Sequence, residues 1–298
     1  MIEGPRLLII GRNGQVARAL AERAGERRVP LLALGREECD LATVTDLPDA
    51  ADDFEPTAII NAAAYTAVDK AEDEREAAFA VNAAGSGRLA EAAARRGLPL
   101  MHVSTDYVYD GGKSAPYVES DPTAPLGVYG ASKLAGEKAV RVALPDALIF
   151  RTAWVYSPFG GNFVKTMLRL GAERDSLRVV DDQIGSPTSA LDIADALISV
   201  AADIYENDLG NRAGIYHLAG SGETSWCGFA RAIFELAGAR GGPSIPVEAI
   251  PTSEYPTPAK RPANSRLDGS KLEKAFGIRL PDWRESLEPV VARLLAKE

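Results

Sequence analysis

Tyr129 and Lys133 stand four residues apart in the stretch TAPLGVYGASKLAGEKAV, which runs from Thr123 to Val140. On a helix that spacing sends both side chains off one face, a single turn apart. An ammonium beside a phenol favours phenolate, bringing a group that ordinarily titrates near 10 closer to working pH. A tyrosine so placed hands a proton to a carbonyl oxygen while hydride arrives at the carbon. Tyr109 and Lys113 repeat the spacing, but Asp110, Gly111 and Gly112 between them suit a turn. Ala131, Leu134, Ala135, Glu137, Lys138 and Ala139 are good helix formers, so only the later pair is expected to share a helical face.

Hydride chemistry needs a cofactor, and the N-terminal stretch reads as a seat for one. The apolar run LLII ends at Gly11, and the junction Gly11-Arg12-Asn13-Gly14-Gln15-Val16-Ala17 has the pattern G-x-x-G-x-x-A. Glycine at 11 allows a tight turn, glycine at 14 lets amides approach a pyrophosphate, and a small residue at 17 lets a helix pack on the strand. That helix, from about Gln15 to Ala24, then aims its positive end at the phosphates. Gly11, Asn13, Gly14, Gln15 and Val16 are the expected pyrophosphate residues. A second strand, Leu31 to Leu34, ends at Gly35-Arg36. An arginine here suits the extra phosphate of NADPH, while the neighbouring Glu37 and Glu38 keep NADH in play. Asp40 and Leu41 are placed against the adenine.

A third strand, Thr57 to Ile60, runs into Asn61-Ala62-Ala63-Ala64-Tyr65-Thr66, where small residues at a strand's carboxyl end leave room for a flat ligand. One long helix is expected from about Glu74 to Arg96. A fourth strand, Pro99 to Val103, delivers Ser104, Thr105, Asp106 and Tyr107, whose hydroxyls are suited to a substrate carbonyl or to capping a turn. A fifth strand, Ala147 to Phe150, follows the Tyr129 helix. Strand and helix alternate throughout this half, which predicts a Rossmann-like α/β fold with a doubly wound parallel sheet.

The second half is less regular, with helices at 162–172 and 189–204, short strands near Val179 and from Gly214 to Ala219, and proline-bearing loops. The expected division is a dinucleotide-binding domain of 1–152 plus about 187–217, and a smaller α+β substrate domain of about 153–186 plus 218–298. The segment from Pro251 to Leu267 holds Lys260, Arg261 and Arg266 with Tyr255. It reads either as an irregular surface loop or as an arginine clamp on a diphosphate.

With 298 residues there is ample core for one large domain or two moderate ones. A net charge of -9 argues against a general nucleic-acid or membrane-surface binder, though a local basic site remains compatible with it. Two cysteines form no disulfide framework and show no metal-ligand spacing, so free thiols are expected. Without a signal-peptide pattern or a membrane span, the reading is cytoplasmic.

Several blocks together resemble the dTDP-4-dehydrorhamnose reductase family of extended short-chain dehydrogenases/reductases nearly end to end. They are GRNGQV, NAAAYTAVDKAE, STDYVYDG, VYGASKLAGE, RTAWVY, GNFVKTML, DDQIGSPT and YPTPAKRPANSRL. The resemblance implies reduction of the 4-keto group of dTDP-4-dehydro-L-rhamnose by NADPH, with NADH possible, in dTDP-rhamnose and cell-surface polysaccharide synthesis. By it Tyr129 is the proton donor, Lys133 holds the ribose and Thr105 orients the keto oxygen. Asp106 and Trp154 would contact the sugar, and Gly14, Gln15, Val16, Asp40, Leu41, Ala64, Tyr65 and Thr66 would hold the cofactor. Some members bind magnesium through glutamates at a dimer interface, but this chain has Ala19 and Leu191 at two of those positions. Magnesium and that mode of dimerisation are therefore doubtful, no metal ligand is assigned, and a monomer or weak homodimer is expected. Dehydratases of the superfamily carry Asp-Glu after the threonine, whereas Thr105-Asp106 is followed by Tyr107. A nucleotide-sugar epimerase, or a non-catalytic subunit like the regulatory subunit of methionine adenosyltransferase, remains as the alternative.

Overall fold

The computed structural model describes residues 4–296. Its centre is a six-stranded sheet in which every neighbouring pair is parallel. Five strands come from the first half: β1 (Leu7–Ile10), β2 (Leu31–Leu34), β3 (Ala58–Asn61), β4 (Leu100–Thr105) and β5 (Leu148–Thr152). The sixth, Gly214–His217, lies beside β5, giving the spatial order β2, β1, β3, β4, β5 and Gly214–His217. The chain moves outward from β1 to β2, then returns to β1's other side with β3. That reversal opens a crevice beyond the carboxyl ends of β1 and β3, where this class of sheet binds ligands.

β1 shows why the sheet needs cover on both faces. Leu7 and Ile9 join one apolar cluster and Leu8 and Ile10 the other, and all four are fully buried. Burying each such side chain contributes about 1.5–3 kcal/mol. One face is covered by the helices Gln15–Arg27 and Ala190–Asn207, the other by Ser86–Arg95 and Val128–Ala143. The first cluster continues without a break into the second half, through Phe229, Trp283 and Leu287.

The remaining strands are short. Leu177–Val180 pairs with Val247–Ile250, and Ile184–Gly185 lies between Thr224–Ser225 and Asn264–Ser265. Val155–Tyr156 runs parallel to Thr188–Ser189. Four α-helix starts are capped by the residue just before them: Asn162, Ser189, Ser225 and Asp282 each accept an amide N–H of the first turn.

The expected long helix from Glu74 to Arg96 is interrupted. Arg75–Phe79 and Ser86–Arg95 are joined by a wider π-type turn, Ala80–Gly85. Asn82 in that turn is buried and spends its side chain on the Tyr65 backbone, accepting its amide at 2.8 Å and donating to its carbonyl at 3.1 Å. A regular helix would aim Asn82 elsewhere, and such bulges cluster at functional sites.

Candidate active site

Tyr129 is the second residue of the helix Val128–Ala143, and Lys133 follows one turn on. Tyr109 and Lys113 share no helix. The Tyr109 hydroxyl is buried against His217 and Arg151, while Lys113 pairs with Asp121. The Tyr129 helix is seated by close backbone contact. A methyl on Gly136 would lie 2.0 Å from the Asn82 carbonyl oxygen, so only glycine lets the helix sit against the π-type turn. Asn82 also donates to Ser132 Oγ at 2.9 Å, and Ser132 donates to the Tyr129 carbonyl at 2.8 Å. One buried amide thus ties the loop after β3 to the helix that carries Tyr129.

The Tyr129 ring packs edge-on against Tyr107, with centroids 5.5 Å apart. Its hydroxyl bonds to Thr105, and the Thr105 Oγ1 hydroxyl donates to Asp106 Oδ1 at 3.0 Å. Asp106 is buried, its Oδ2 has no hydrogen-bond partner, and burial pushes its carboxyl up to about 6. Lys133 is buried too. Its Nζ donates to the Val103 carbonyl at 2.7 Å, and burial draws its amine down to about 8, with Glu137 acting in the opposite sense. The phenol does not behave as the spacing suggested. Burial pushes the Tyr129 hydroxyl above its ordinary value, Thr105 moderates the rise, and Lys133 is not among the charges that act on it. The amine's bond to Val103 directs it to β4 rather than to the phenol.

The crevice beyond β1 and β3 is lined by Gly11, Asn13, Gly14, Arg36, Asp40, Leu41, Ala62, Ala63, Ala64 and Thr66. It fits a dinucleotide on its own geometry. Gly11 has φ +112, and a methyl there would lie 2.8 Å from the Ala63 amide nitrogen, so the two loops approach as only glycine allows. At Gly14 an added methyl would meet only ordinary contacts beyond 3.7 Å. The helix Gln15–Arg27 starts there with no side-chain cap and no acidic residue in its first turn, leaving its amides for an anion. Val16 is buried under this turn. The Gln15 side chain turns away to accept from Ser157 at 2.8 Å and Asn162 at 3.0 Å. Tyr65 gives its hydroxyl to Glu74 at 2.6 Å. Arg12, Gly35, Cys39 and Val81 also line the crevice, and the motif alone did not single them out. Arg12 pairs with Glu38, whose other oxygen accepts the Gly35 amide at 2.9 Å. Glu38 is thereby occupied. Arg36 stays 75% exposed with only a 3.8 Å approach to Asp40, free to meet a phosphate.

A second cavity, of about 830 Å³, is lined by Tyr107, Phe163, Arg174, Arg178, Trp226 and Arg261 among others. Arg261 donates to the Tyr107 hydroxyl at 3.0 Å and to Asp69 Oδ2 at 2.7 Å, which fixes it at the rim. Trp154 stands one ring back. Its backbone has φ +47 and its indole stacks on Trp226 with centroids 3.6 Å apart. Arg266 is not part of this cavity. It is held by Asn264, Glu223 and the Ser114 carbonyl, so the three basic residues of the 251–267 loop form no single clamp. Arg174, Arg178 and Trp226 were missed because they come from three separate elements with no spacing to unite them.

Residues 5–296 match the family described as RmlD substrate binding domain. The chain belongs to the dTDP-4-dehydrorhamnose reductase family. A dTDP-4-dehydrorhamnose reductase from Sinorhizobium fredii is 51% identical over 290 residues, covering 97% of this chain and 98% of that one. The Escherichia coli K12 reductase is 42% identical, with 97% of each covered. The Bacillus anthracis reductase, solved in complex with NADP, superposes with a TM-score of 0.89 at 35% identity, covering 97% of this chain and 99% of that chain.

Ala19 and Leu191 are buried apolar residues on two helices that pack together, and no cluster of three or more metal-ligating side chains occurs among the described residues. No helix among them is long and apolar enough to cross a membrane.

Proposed function

We propose that the chain reduces the 4-keto group of dTDP-4-dehydro-L-rhamnose with NADPH to give dTDP-L-rhamnose. The observation that carries this reading is the position of Tyr129. Through Ser132 and Asn82 it is tied to the loop lining the dinucleotide crevice, and through Tyr107 it borders the 830 Å³ cavity. NADPH, when bound, supplies hydride to the carbonyl carbon. Tyr129 gives its proton to the keto oxygen, which its raised affinity for that proton makes a guarded, substrate-triggered step. Thr105 orients the oxygen and stays bonded to the phenol. Lys133 holds the ribose side, and Gly11, Asn13, Gly14 and the first turn of Gln15–Arg27 hold the pyrophosphate. Arg36 is assigned to the 2′-phosphate, which favours NADPH over NADH. Arg174, Arg178 and Arg261 face the sugar nucleotide's diphosphate, and Trp226, backed by Trp154, offers a ring for the base or sugar.

The substrate unit is taken as 153–186 plus 218–298, within which Leu177–Val180 pairs with Val247–Ile250 and Ile184–Gly185 pairs with Thr224–Ser225 and Asn264–Ser265. The reading includes a cytoplasmic monomer or weak homodimer that uses no magnesium. Consumption of NADPH at 340 nm on adding a dTDP-4-keto-6-deoxy sugar tests the activity. Tight NADPH binding without turnover would favour the non-catalytic subunit, and a product with inverted configuration at a second carbon would favour an epimerase.

A further inference from the structure

Lys133 is enclosed by groups to which the reductase reading gives no task. Glu137, one turn along its own helix, is clamped by Arg151 of β5 at 2.6 and 2.9 Å and by the Ser104 hydroxyl of β4 at 2.6 Å. From β4, the Val103 carbonyl accepts from Nζ, and His102 presents Nε2 to Nζ at 3.4 Å. Behind His102 lies Asn61, the last residue of β3, with Nδ2 3.0 Å from His102 Nδ1. His102 and Asn61 are both fully buried.

The hydrogen-bond directions in this chain are not free. Asn61 Oδ1 accepts the Ala63 amide N–H at 3.1 Å, which fixes the side-chain amide. Its Nδ2, a donor without a lone pair, therefore faces His102 Nδ1, and that nitrogen has to be the acceptor. A neutral imidazole then carries its single proton on Nε2, aimed at Lys133. We propose that His102 is a positioning residue that holds an N–H against Lys133 Nζ and so favours the neutral amine, poising Lys133 between its two protonation states. An N–H facing an ammonium is repulsive. Facing a neutral amine, it donates to the lone pair, while the amine's own N–H still reaches the Val103 carbonyl. Burial by itself already lowers the affinity of Lys133 for its proton, and burial together with the Lys133 charge keeps His102 from taking a second proton. Glu137 pulls the other way, but its charge is shared with Arg151. Because Ala63 lines the dinucleotide crevice, a movement of that loop reaches Lys133 through two side chains.

The chain's other histidine supplies a contrast. His217 sets Nδ1 3.2 Å from the Asp268 carbonyl, an acceptor, and Nε2 2.8 Å from the Tyr109 hydroxyl. Its proton belongs on Nδ1.

The test labels the two histidines of the full chain with 15N and reads ring tautomers by NMR. One ring protonated on Nε2, absent from a His102→Phe variant, and one protonated on Nδ1 is the expected result. An Nδ1-protonated or doubly protonated His102 between about pH 6 and 8 overturns the proposal. Asn61→Asp keeps an acceptor for Ala63 but draws the His102 proton to Nδ1, leaving a lone pair toward Lys133. The alkaline limbs of NADPH binding and of kcat/KM should then move up by about one pH unit. Unmoved limbs with a switched tautomer overturn the link to Lys133. The proposal rests on the reductase reading for the role of Lys133. Absent turnover with these binding and NMR results intact would sink that reading and uphold this one, since neither measurement needs substrate.

Discussion

The hydroxyl of Tyr129 and the carboxyl of Asp106 are joined through one threonine, and each is held in the protonated form more firmly than in water. For Tyr129 this makes a donor that gives up its proton only as negative charge develops on the substrate oxygen. Tyr129→Phe should lower kcat by on the order of a hundredfold or more with the fold intact, measured by NADPH consumption and thermal unfolding together. Asp106 makes a thermodynamic prediction. Its carboxyl titrates near 6 in the folded chain against an ordinary 3.8. Between those values the folded state binds more protons than the unfolded one, so stability falls as pH rises through that window and stays reduced above it. Asp106→Asn should therefore stabilise the protein by roughly 1–3 kcal/mol at pH 8, a gain that fades toward pH 4. Denaturant unfolding across that range would show it, and a pH-independent difference would refute it. Arg36→Ala, which removes an exposed guanidinium with one long contact, should weaken NADPH roughly fivefold or more while sparing NADH, by fluorescence titration of each cofactor.

Elements explain what was and was not legible in the sequence. β1, the glycine turn and the Tyr129 helix were legible because each announces itself locally, through an apolar run, a glycine whose φ is forced, and helix formers around a spaced pair. The interruption at Ala80–Gly85 was not, since Asn82 leaves the helical pattern for a partner 17 residues away. The same holds for the cavity, where Arg174 follows one helix, Arg178 lies on a strand and Trp226 opens another helix. Only their meeting in space makes a site. The phenol is raised rather than lowered for a related reason, because spacing along a helix reveals neither the burial around Tyr129 nor the β4 carbonyl that takes the amine's hydrogen bond. The fit between the π-type turn and the Tyr129 helix leads to a test of its own. Gly136→Val would drive a side chain into the Asn82 carbonyl and should cost about 2 kcal/mol or more of stability. It should also weaken NADPH binding, since Asn82 holds the Tyr65 backbone. A variant with normal stability and binding would show that the two elements are not coupled.

At the scale of the molecule, the helices Gln15–Arg27 and Ala190–Asn207 meet through apolar residues and are cross-linked at their exposed edge by ion pairs. Arg27 reaches Asp195 at 2.7 Å, Arg23 reaches it at 3.2 Å, and Arg293 from the last helix reaches Glu22 at 2.6 Å. Asp195 and Glu22 on this face are thus already matched by guanidinium groups of the same chain, Asp192 accepts the Ser286 hydroxyl, and Ala19 and Leu191 add no oxygen. A divalent cation requires several oxygen ligands and would have to displace arginines to obtain them. Activity and sedimentation behaviour should therefore be the same in EDTA as in millimolar magnesium. The arginine pairs, being partly exposed, should instead respond to ionic strength, with a modest loss of thermal stability as salt is raised. Loss of activity in EDTA that magnesium restores, or a dimer that forms only with magnesium, would show that this face recruits carboxylates from a second copy.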